Sequence, residues 1–258
     1  SALGIQSILA TDLYVVEGYL KDNPESIKKK ILPLWDKVRN KKLAYEIHFF
    51  KPAAVSFVNF SNFESSGEDI SNVRTDIVWV TSSFKSSTHA LMCKAYAGYR
   101  ATHPIYDEKG TMLGGLSVGK KIDWIPKALK EKTKHDSFLV YTADATSLLT
   151  TKNYKKFMKD KQIVGKNILA GHTFKVTVEE IRNIDFTKKM QNIMINDVDY
   201  TLYSYPIIDF NKKTIGYICT VTQLVEYKEA FSASLFKNFL LIIVSVFIIL
   251  FIMRREIS

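Results

Sequence analysis

Two cysteines, Cys93 and Cys219, are all the thiol chemistry that 258 residues carry. An oxidising compartment would permit one long-range disulfide between them. Each lies inside an apolar, strand-like run, however, and both read as buried free thiols. The sequence has no Cys-x-x-Cys-His, no His-Glu-x-x-His, no glycine-rich phosphate loop and no kinase signature, so nothing in it points to a bound cofactor. Its start lacks the basic residues and apolar run of a signal peptide. Lys and Arg number 36 against 26 Asp and Glu, a formal charge of +10. That excess has no arginine stripe and no interleaved aromatics. The cations are mostly lysines beside acids, spread from Lys21 to Lys228, and no nucleic-acid partner is expected.

What the chain does have is one stretch written twice. Tyr99 to Asp107, then Gly110, Leu113-Gly114 and Leu116 to Val118, recurs as Thr201 to Asp209, then Lys212, Ile215-Gly216 and Ile218 to Thr220. The offset is a constant 102 residues, from Pro104 to Pro206, Asp107 to Asp209 and Gly114 to Gly216. Each copy reads as an aromatic and β-branched strand, a Pro-Ile-x-Asp exit, a polar turn and a Gly-led second strand. Two modules of about 100 residues in series follow, and 47% hydrophobic content supplies a core for each.

The far end is of another kind. Leu235 to Met253 is a 19-residue stretch whose polar members are Lys237, Asn238 and Ser245, close to the ~20 residues that span hydrocarbon. Arg254-Arg255 follow, and basic residues mark the cytoplasmic side of a span. The expectation is a C-terminal transmembrane helix in the cell (inner) membrane, with residues 1 to about 234 outside the cytoplasm. Any cytoplasmic output domain would follow Ser258, and any first span would precede Ser1. At the start, Leu3 to Leu20 and Ile27 to Val38 carry apolar residues at helical spacing, interrupted at Asn23-Pro24. Pro33 is expected to kink or end the second segment.

The predicted fold is α+β, in four parts. Residues 1–40 form a long N-terminal helix. Residues 41–121 form a membrane-distal module of two strands, a helix and three meandering strands around an antiparallel sheet. A second module spans residues 122–230, beginning with a connecting helix near Trp124 to Lys132. The membrane helix occupies residues 235–253. In the first module the helix is expected to start near Ser65 to Asp69 and to bury Ile70, Val73, Ile77, Val78 and Val80.

Period two along the repeated strand places Lys94, Tyr96, Arg100 and Thr102 on one face, and Cys93, Ala97, Tyr99 and His103 on the other. On the first strand Glu46, His48 and Phe50 share a face. Arg100 carries the most weight, because a guanidinium in a pocket holds a carboxylate through two parallel hydrogen bonds; a surface arginine or an internal ion pair is the plainer reading. Its counterpart in the second copy is Leu202, which suggests that one module binds and the other transmits. His48, His89, His103 and Cys93 match no metal-ligand spacing. Gly115 to Gly119 spells the Gly-x-Ser-x-Gly of a nucleophile elbow, with Asp136 and His172 in order behind it. Ser117 nevertheless sits within a strand rather than on a strand-to-helix turn, so no catalytic residue is assigned.

Tyr45 to Phe50, Pro52, Ser56-Phe57, Gly67 to Ser71, Arg74 and Arg100 before Pro104-Ile105 resemble the double Cache sensory regions of bacterial transmembrane receptors. The sequence departs from that pattern at Val55 and Asn59, where arginine is expected. The resemblance implies two tandem PAS-like modules and a ligand pocket in the first, with Tyr45, His48, Arg74, Lys94, Tyr96, Arg100 and Thr102 as ligand-binding residues. It also implies homodimerisation through the long helices and signalling to cytoplasmic partners. The function expected is the ligand-sensing region of a methyl-accepting chemotaxis receptor for a small carboxylate-bearing molecule. A sensor histidine kinase or diguanylate cyclase is the alternative output, and a membrane-anchored extracytoplasmic enzyme is the alternative of another class.

Overall fold

The structure, a computed structural model, describes residues 9–94, 96–224 and 234–237. The expected span at residues 235–253 lies, apart from its first three residues, outside that set. Among the described residues no helix is long and apolar enough to cross a membrane.

Two helices lead in: α1 (Leu13–Leu20) and α2 (Pro24–Asn40). The break between them falls where Asn23 caps α2, its side chain accepting from Ser26 N at 3.1 Å, with Pro24 in the first turn and Glu25 at the positive helix end. Ile27, Ile31, Trp35 and Val38 form the buried face of α2. Contrary to expectation, Pro33 does not end this helix. It lies on the exposed side, where the Lys29 carbonyl that loses its partner is not buried against protein.

The first sheet contains β1 (Glu46–Lys51), β2 (Val55–Asn59), β3 (Ser87–Met92), β4 (Ala97–Tyr106) and β5 (Met112–Lys121), in the order β2-β1-β5-β4-β3, all antiparallel. One face packs Ile47, Phe49, Val58, Ile105, Leu116 and Val118 against α1 and α2. The other is covered by α3 (Thr75–Ser83), whose Ile77 and Val80 meet Phe50, Ala54 and Ile70. The helix therefore starts later than the sequence suggested, and Val78 is exposed. A 3-10 turn at Phe63–Ser65 is followed instead by a turn and loop over residues 66–70. Ser56 N donates to Glu68 O, Gly67 N to Ser56 O and Ile70 N to Ala54 O, so these backbone groups are taken by β2 and its approach rather than by a helix.

The second sheet comprises β6 (Asp136–Thr142), β7 (Gln162–Val164), β8 (Asn167–His172), β9 (Met190–Ile195), β10 (Val198–Ile208) and β11 (Thr214–Gln223), ordered β7-β8-β6-β11-β10-β9. Helices α4 (Ile125–Thr133), α5 (Thr151–Met158) and α6 (Val178–Arg182) accompany it. The short β7–β8 hairpin and α6 escaped the sequence reading, their signals being only a few residues long. Apart from β7, the order repeats that of the first sheet. The repeat also holds in register. Ile105 faces Gly114 and Ile207 faces Gly216, and each hairpin has a bulge just after that pair. Asp107 and Asp209 cap their turns alike, accepting from Thr111 N (2.7 Å) and Lys213 N (2.9 Å).

The sheets also touch each other. Ala90 bridges Asp209, Phe210 N donates to Ala90 O at 3.1 Å, and the Phe210 ring packs on Trp79 and His89. A shared core joins Ala90, Met92, Ala97 and Ile122 to Leu139, Tyr141, Ile207 and Ile215.

A difference between the two turns at the left-handed position yields a test. Gly110 has φ +79°, and its counterpart Lys212 adopts φ +65° with a side chain that disfavours it. Gly110→Ala should destabilise the protein by about 1 kcal/mol, while Lys212→Gly should leave stability unchanged or raise it by up to ~1 kcal/mol. Denaturant midpoints check both. Equal losses from the two substitutions would show that the turns are not equivalent.

Candidate functional site

On the face of the first sheet that α3 covers, alternation along three strands brings polar groups together: Glu46 and His48 from β1, Arg100 and Thr102 from β4, and Ser117 from β5. Arg74 and Asp76, at the start of α3, close over them. All seven are buried, Arg100 at 1% exposure and Asp76 at 0%.

Two ion pairs organise the cluster. Arg100 Nη1 donates to Glu46 Oε2 in a short hydrogen bond. The same oxygen accepts from Tyr96 Oη at 2.8 Å, and Asn59 Nδ2 donates to Oε1 at 3.3 Å. Arg74 grips Asp76 with two parallel bonds, Nε to Oδ1 and Nη2 to Oδ2, both 2.8 Å. Ser117 links the pairs to the sheet, accepting from Arg74 Nη2 at 2.8 Å, with Thr102 Oγ1 3.1 Å from both Ser117 Oγ and Asp76 Oδ2. His48 stands between the pairs, Nδ1 at 3.4 Å from Glu46 and 3.5 Å from Arg74 Nη1, and Nε2 at 2.9 Å from Ser56 Oγ.

Burial alone would raise both carboxyls. Against it, Arg100, a hydrogen bond with His48 and Arg74 pull Glu46 well below the usual carboxylate range, and Arg74 does the same for Asp76. Burial lowers His48, so the ring is neutral at pH 7. Two guanidinium cations and two carboxylates therefore balance within the protein.

The cluster is not fully satisfied. Arg100 Nε, His89 Nε2 and Thr75 Oγ1 are buried with no hydrogen-bond partner among the described residues. Arg100 Nη2 has only a sulfur, Cys93 Sγ at 3.0 Å. One edge of the guanidinium, Nε with Nη2, thus carries a single soft acceptor where Arg74 holds a carboxylate on the same edge.

Of the residues singled out from sequence, His48, Arg74, Tyr96, Arg100 and Thr102 come together. Tyr45 sits one layer out, its ring edge-on to Tyr96 at 4.6 Å. Lys94 does not join them. It is exposed in the connection 93–96, where its carbonyl accepts from Thr150 N and Asn153 Nδ2. The strand does not run through that connection, because Cys93 N donates to Tyr96 O, and the alternation extended back from β4 fails there. This is also why Cys93, assigned to the opposite face, meets Arg100. Asn59, where arginine was expected, holds Glu46 instead. Asp76 was missed because the expected helix start at Ser65 to Asp69 put it in mid-helix, whereas α3 begins at Thr75 and brings Asp76 back onto Arg74. Ser117 is buried in mid-strand on Arg74 and Thr102, while Asp136 and His172 belong to the other sheet, so no nucleophile elbow exists. His103 turns to Ser86, and no metal-binding group of His, Cys, Asp or Glu is found among the described residues.

In the second module the buried arginine is gone from this face, and Asp136, at the place of Glu46, is only half-buried and pairs with Lys130. The offset of 102 puts Leu202, Ser204 and Cys219 at the places of Arg100, Thr102 and Ser117, and pairing with β11 puts Phe138 at that of His48. Leu202, Cys219 and Phe138 lie in an apolar core with Val140 and Phe186, and burial pushes the Cys219 thiol up to about 12.

A family model described as the double sensory domain of two-component sensor kinases, of the double Cache type, matches residues 2–221. Comparison with curated sequences finds no significant match. Among solved structures, the sensor domain of the V. cholerae histidine kinase DctB is similar with 11% identity and a TM-score of 0.47, over 85% of this chain and 87% of that one. The E. coli DcuS sensor domain has 16% identity and a TM-score of 0.42, covering 50% and 92%. The ligand-binding domain of the Campylobacter jejuni chemoreceptor Tlp3, solved with 4-methylisoleucine, has 12% identity and a TM-score of 0.40, covering 77% and 73%.

The buried pairs predict an acid response. The folded pKa of Asp76 lies below its unfolded value of 3.8, so its contribution is complete above that pH and declines as pH falls towards the folded pKa. Asp76→Asn should cost about 3–5 kcal/mol at pH 7, because Arg74 is left buried and unpaired. The gap between parent and variant should narrow as pH falls from about 5 towards 2, as the parent loses the same pair. Chemical denaturation across that range measures it; a gap independent of pH would mean that the Asp76 carboxylate is not the group held.

Proposed function

This chain belongs to the double Cache family of sensory domains, and from that premise we propose that it detects a small carboxylate-bearing molecule through Arg100 in the first module, as the extracytoplasmic part of a transmembrane receptor. Family membership makes it a sensory, ligand-binding domain. The observation that carries the rest is the asymmetry of the duplicated sheet face: charged, polar and incompletely satisfied around Arg100, apolar around Leu202. A structural duplicate needs no buried charges, since apolar groups of similar volume serve as well or better.

The Nε–Nη2 edge of Arg100 is the place for a ligand carboxylate. Two parallel N–H donors match its two oxygens, and the present occupant, Cys93 Sγ, is a weak acceptor. Cys93 Sγ lies on that edge, so the ligand has to displace it. Glu46 would stay on Nη1, which keeps the site from carrying an unbalanced charge before binding. The apolar run 235–253 is the proposed membrane anchor, in the cell membrane, with residues 1 to about 234 outside the cytoplasm. The long N-terminal helices are the proposed dimer contact. For the output, the family's description supports a two-component kinase over the chemotaxis receptor expected from sequence.

The test is a thermal-shift screen of organic acids, amino acids and amines, followed by titration of the best binder. Arg100→Lys preserves the charge beside Glu46 but loses the planar edge, and should weaken a carboxylate ligand about tenfold or more. Arg100→Ala should lose roughly ten- to a hundred-fold, but it also strands Glu46, so the lysine variant is the deciding one. Unchanged affinity in Arg100→Lys would make Arg100 structural. Amines heading the screen would move recognition to Glu46 and Asp76. Asp69 is exposed and caps its own turn at Ser71 N, and takes no part in the cluster.

A further inference from the structure

We propose a second binding site, separate from the buried cluster, for a small dissolved anion carrying two or more negative charges. It lies in a groove of about 570 Å³ where the end of α2, the start of β1 and the end of β5 meet Trp124 and α5. That volume falls within the range of small-molecule sites. Trp35, Ala44, Tyr45 and Trp124 provide the walls.

The cations come from three separate elements: Arg39 and Lys42 around the end of α2, Lys120 and Lys121 at the end of β5, and Lys156 on α5. Among the described residues Asp123 is the only carboxylate lining the groove, and it is already engaged, accepting from Tyr141 Oη at 2.5 Å and pairing with Lys161 Nζ at 3.2 Å. Among the described residues none of the five cations forms an ion pair. The nearby Asp160 carboxylate sits on Lys161, at 3.0 Å. Lys120 and Lys121 instead lie over ring faces, 4.3 Å from the Trp124 and Tyr45 centroids respectively, an arrangement that steadies the stems.

Five like charges around one concavity repel one another, and concave walls of low dielectric focus their field on the space between. A single negative charge relieves one of them. A compact multivalent anion such as a phosphate group relieves several at once and bridges elements that share no ion pair of their own. Lysine, a point charge with rotatable donors, suits tetrahedral oxyanions without the flat geometry that Arg100 offers. The two sites thus differ in chemistry as well as in position: a planar, closed, charge-balanced site in the sheet, and an open one at its end whose five cations outnumber the nearby carboxylates, Asp123 and Asp160.

Calorimetric titration of the full chain in detergent, with pyrophosphate as probe against chloride at matched ionic strength, tests this. Saturable binding of pyrophosphate, weakened about tenfold or more in Lys121→Gln/Lys156→Gln and unchanged in the remote Lys189→Gln, is expected. Lys156 is exposed, so the single Lys156→Gln variant folds even if the pair does not, and it should show a smaller loss in the same direction. Three results would overturn the proposal: no saturable binding, equal affinity in parent and groove variants, or binding only to phosphatidylglycerol vesicles and not to pyrophosphate. The last would assign the cations to a lipid surface.

Discussion

Placing a guanidinium and a carboxylate out of reach of water costs several kcal/mol for each ion, and their attraction offsets this only when the geometry is good and the remaining polar atoms are satisfied. Glu46 and Arg100 meet that condition inside the first sheet. Glu46 has four neighbours to hold its oxygens, in Arg100, Tyr96, Asn59 and His48. Much of the surrounding sequence follows from this pair. A Cβ on residue 119 would lie 2.1 Å from Tyr96 Oη and 3.2 Å from Arg100 Nη1, so glycine is required where those side chains cross β5. Arg74 needs Asp76 because a second guanidinium beside the first would otherwise be repelled. Burial holds His48 below the usual imidazole range where it stands between Glu46 and Arg74.

Such an arrangement stores sensitivity. A closed charge network in a low dielectric responds strongly to any new charge brought to it. Arg100 keeps one donor, Nε, uncommitted while the rest of the network is in balance. An apolar core can be filled or left empty, but it has no comparable way to register the sign of an incoming group. In the second module Leu202, Phe138 and Cys219 occupy the corresponding places within an apolar core.

The repeat was legible in sequence because its punctuation is local: proline, aspartate and glycine fix strand exits, caps and bulges wherever they occur. The offset of 102 accordingly survives into register, bulge and turn. The faces of β1 were legible for a similar reason, since Glu46 and His48 alternate with Ile47 and Phe49 and no irregularity intervenes. Lys94 was misplaced because the connection 93–96 interrupts the alternation, and nothing in Cys93-Lys94 announces a strand end. The onset of α3 was misjudged because residues 65–70 have the composition of a helix start but give their hydrogen bonds to β2, a long-range fact. That Arg100 would meet Glu46 rather than water or ligand also lay beyond pattern, because it depends on β1 and β4 flanking β5 from opposite sides.

The bridge from Asp209 and Phe210 to Ala90 has a bearing on solubility. Strand β3 is the outermost strand of its sheet, and an outer strand offers unpaired backbone groups to any passing chain. Here Phe210 N takes the Ala90 carbonyl, and the Phe210 ring lies over His89 and Trp79. At the opposite border of the sheet, the loop through Gly67 and Glu68 occupies β2 in the same manner. The second sheet ends on β7, only three residues long, too short to template much pairing. The second module therefore also covers part of the border of its neighbour, at the point where Asp209 and Phe210 meet Ala90.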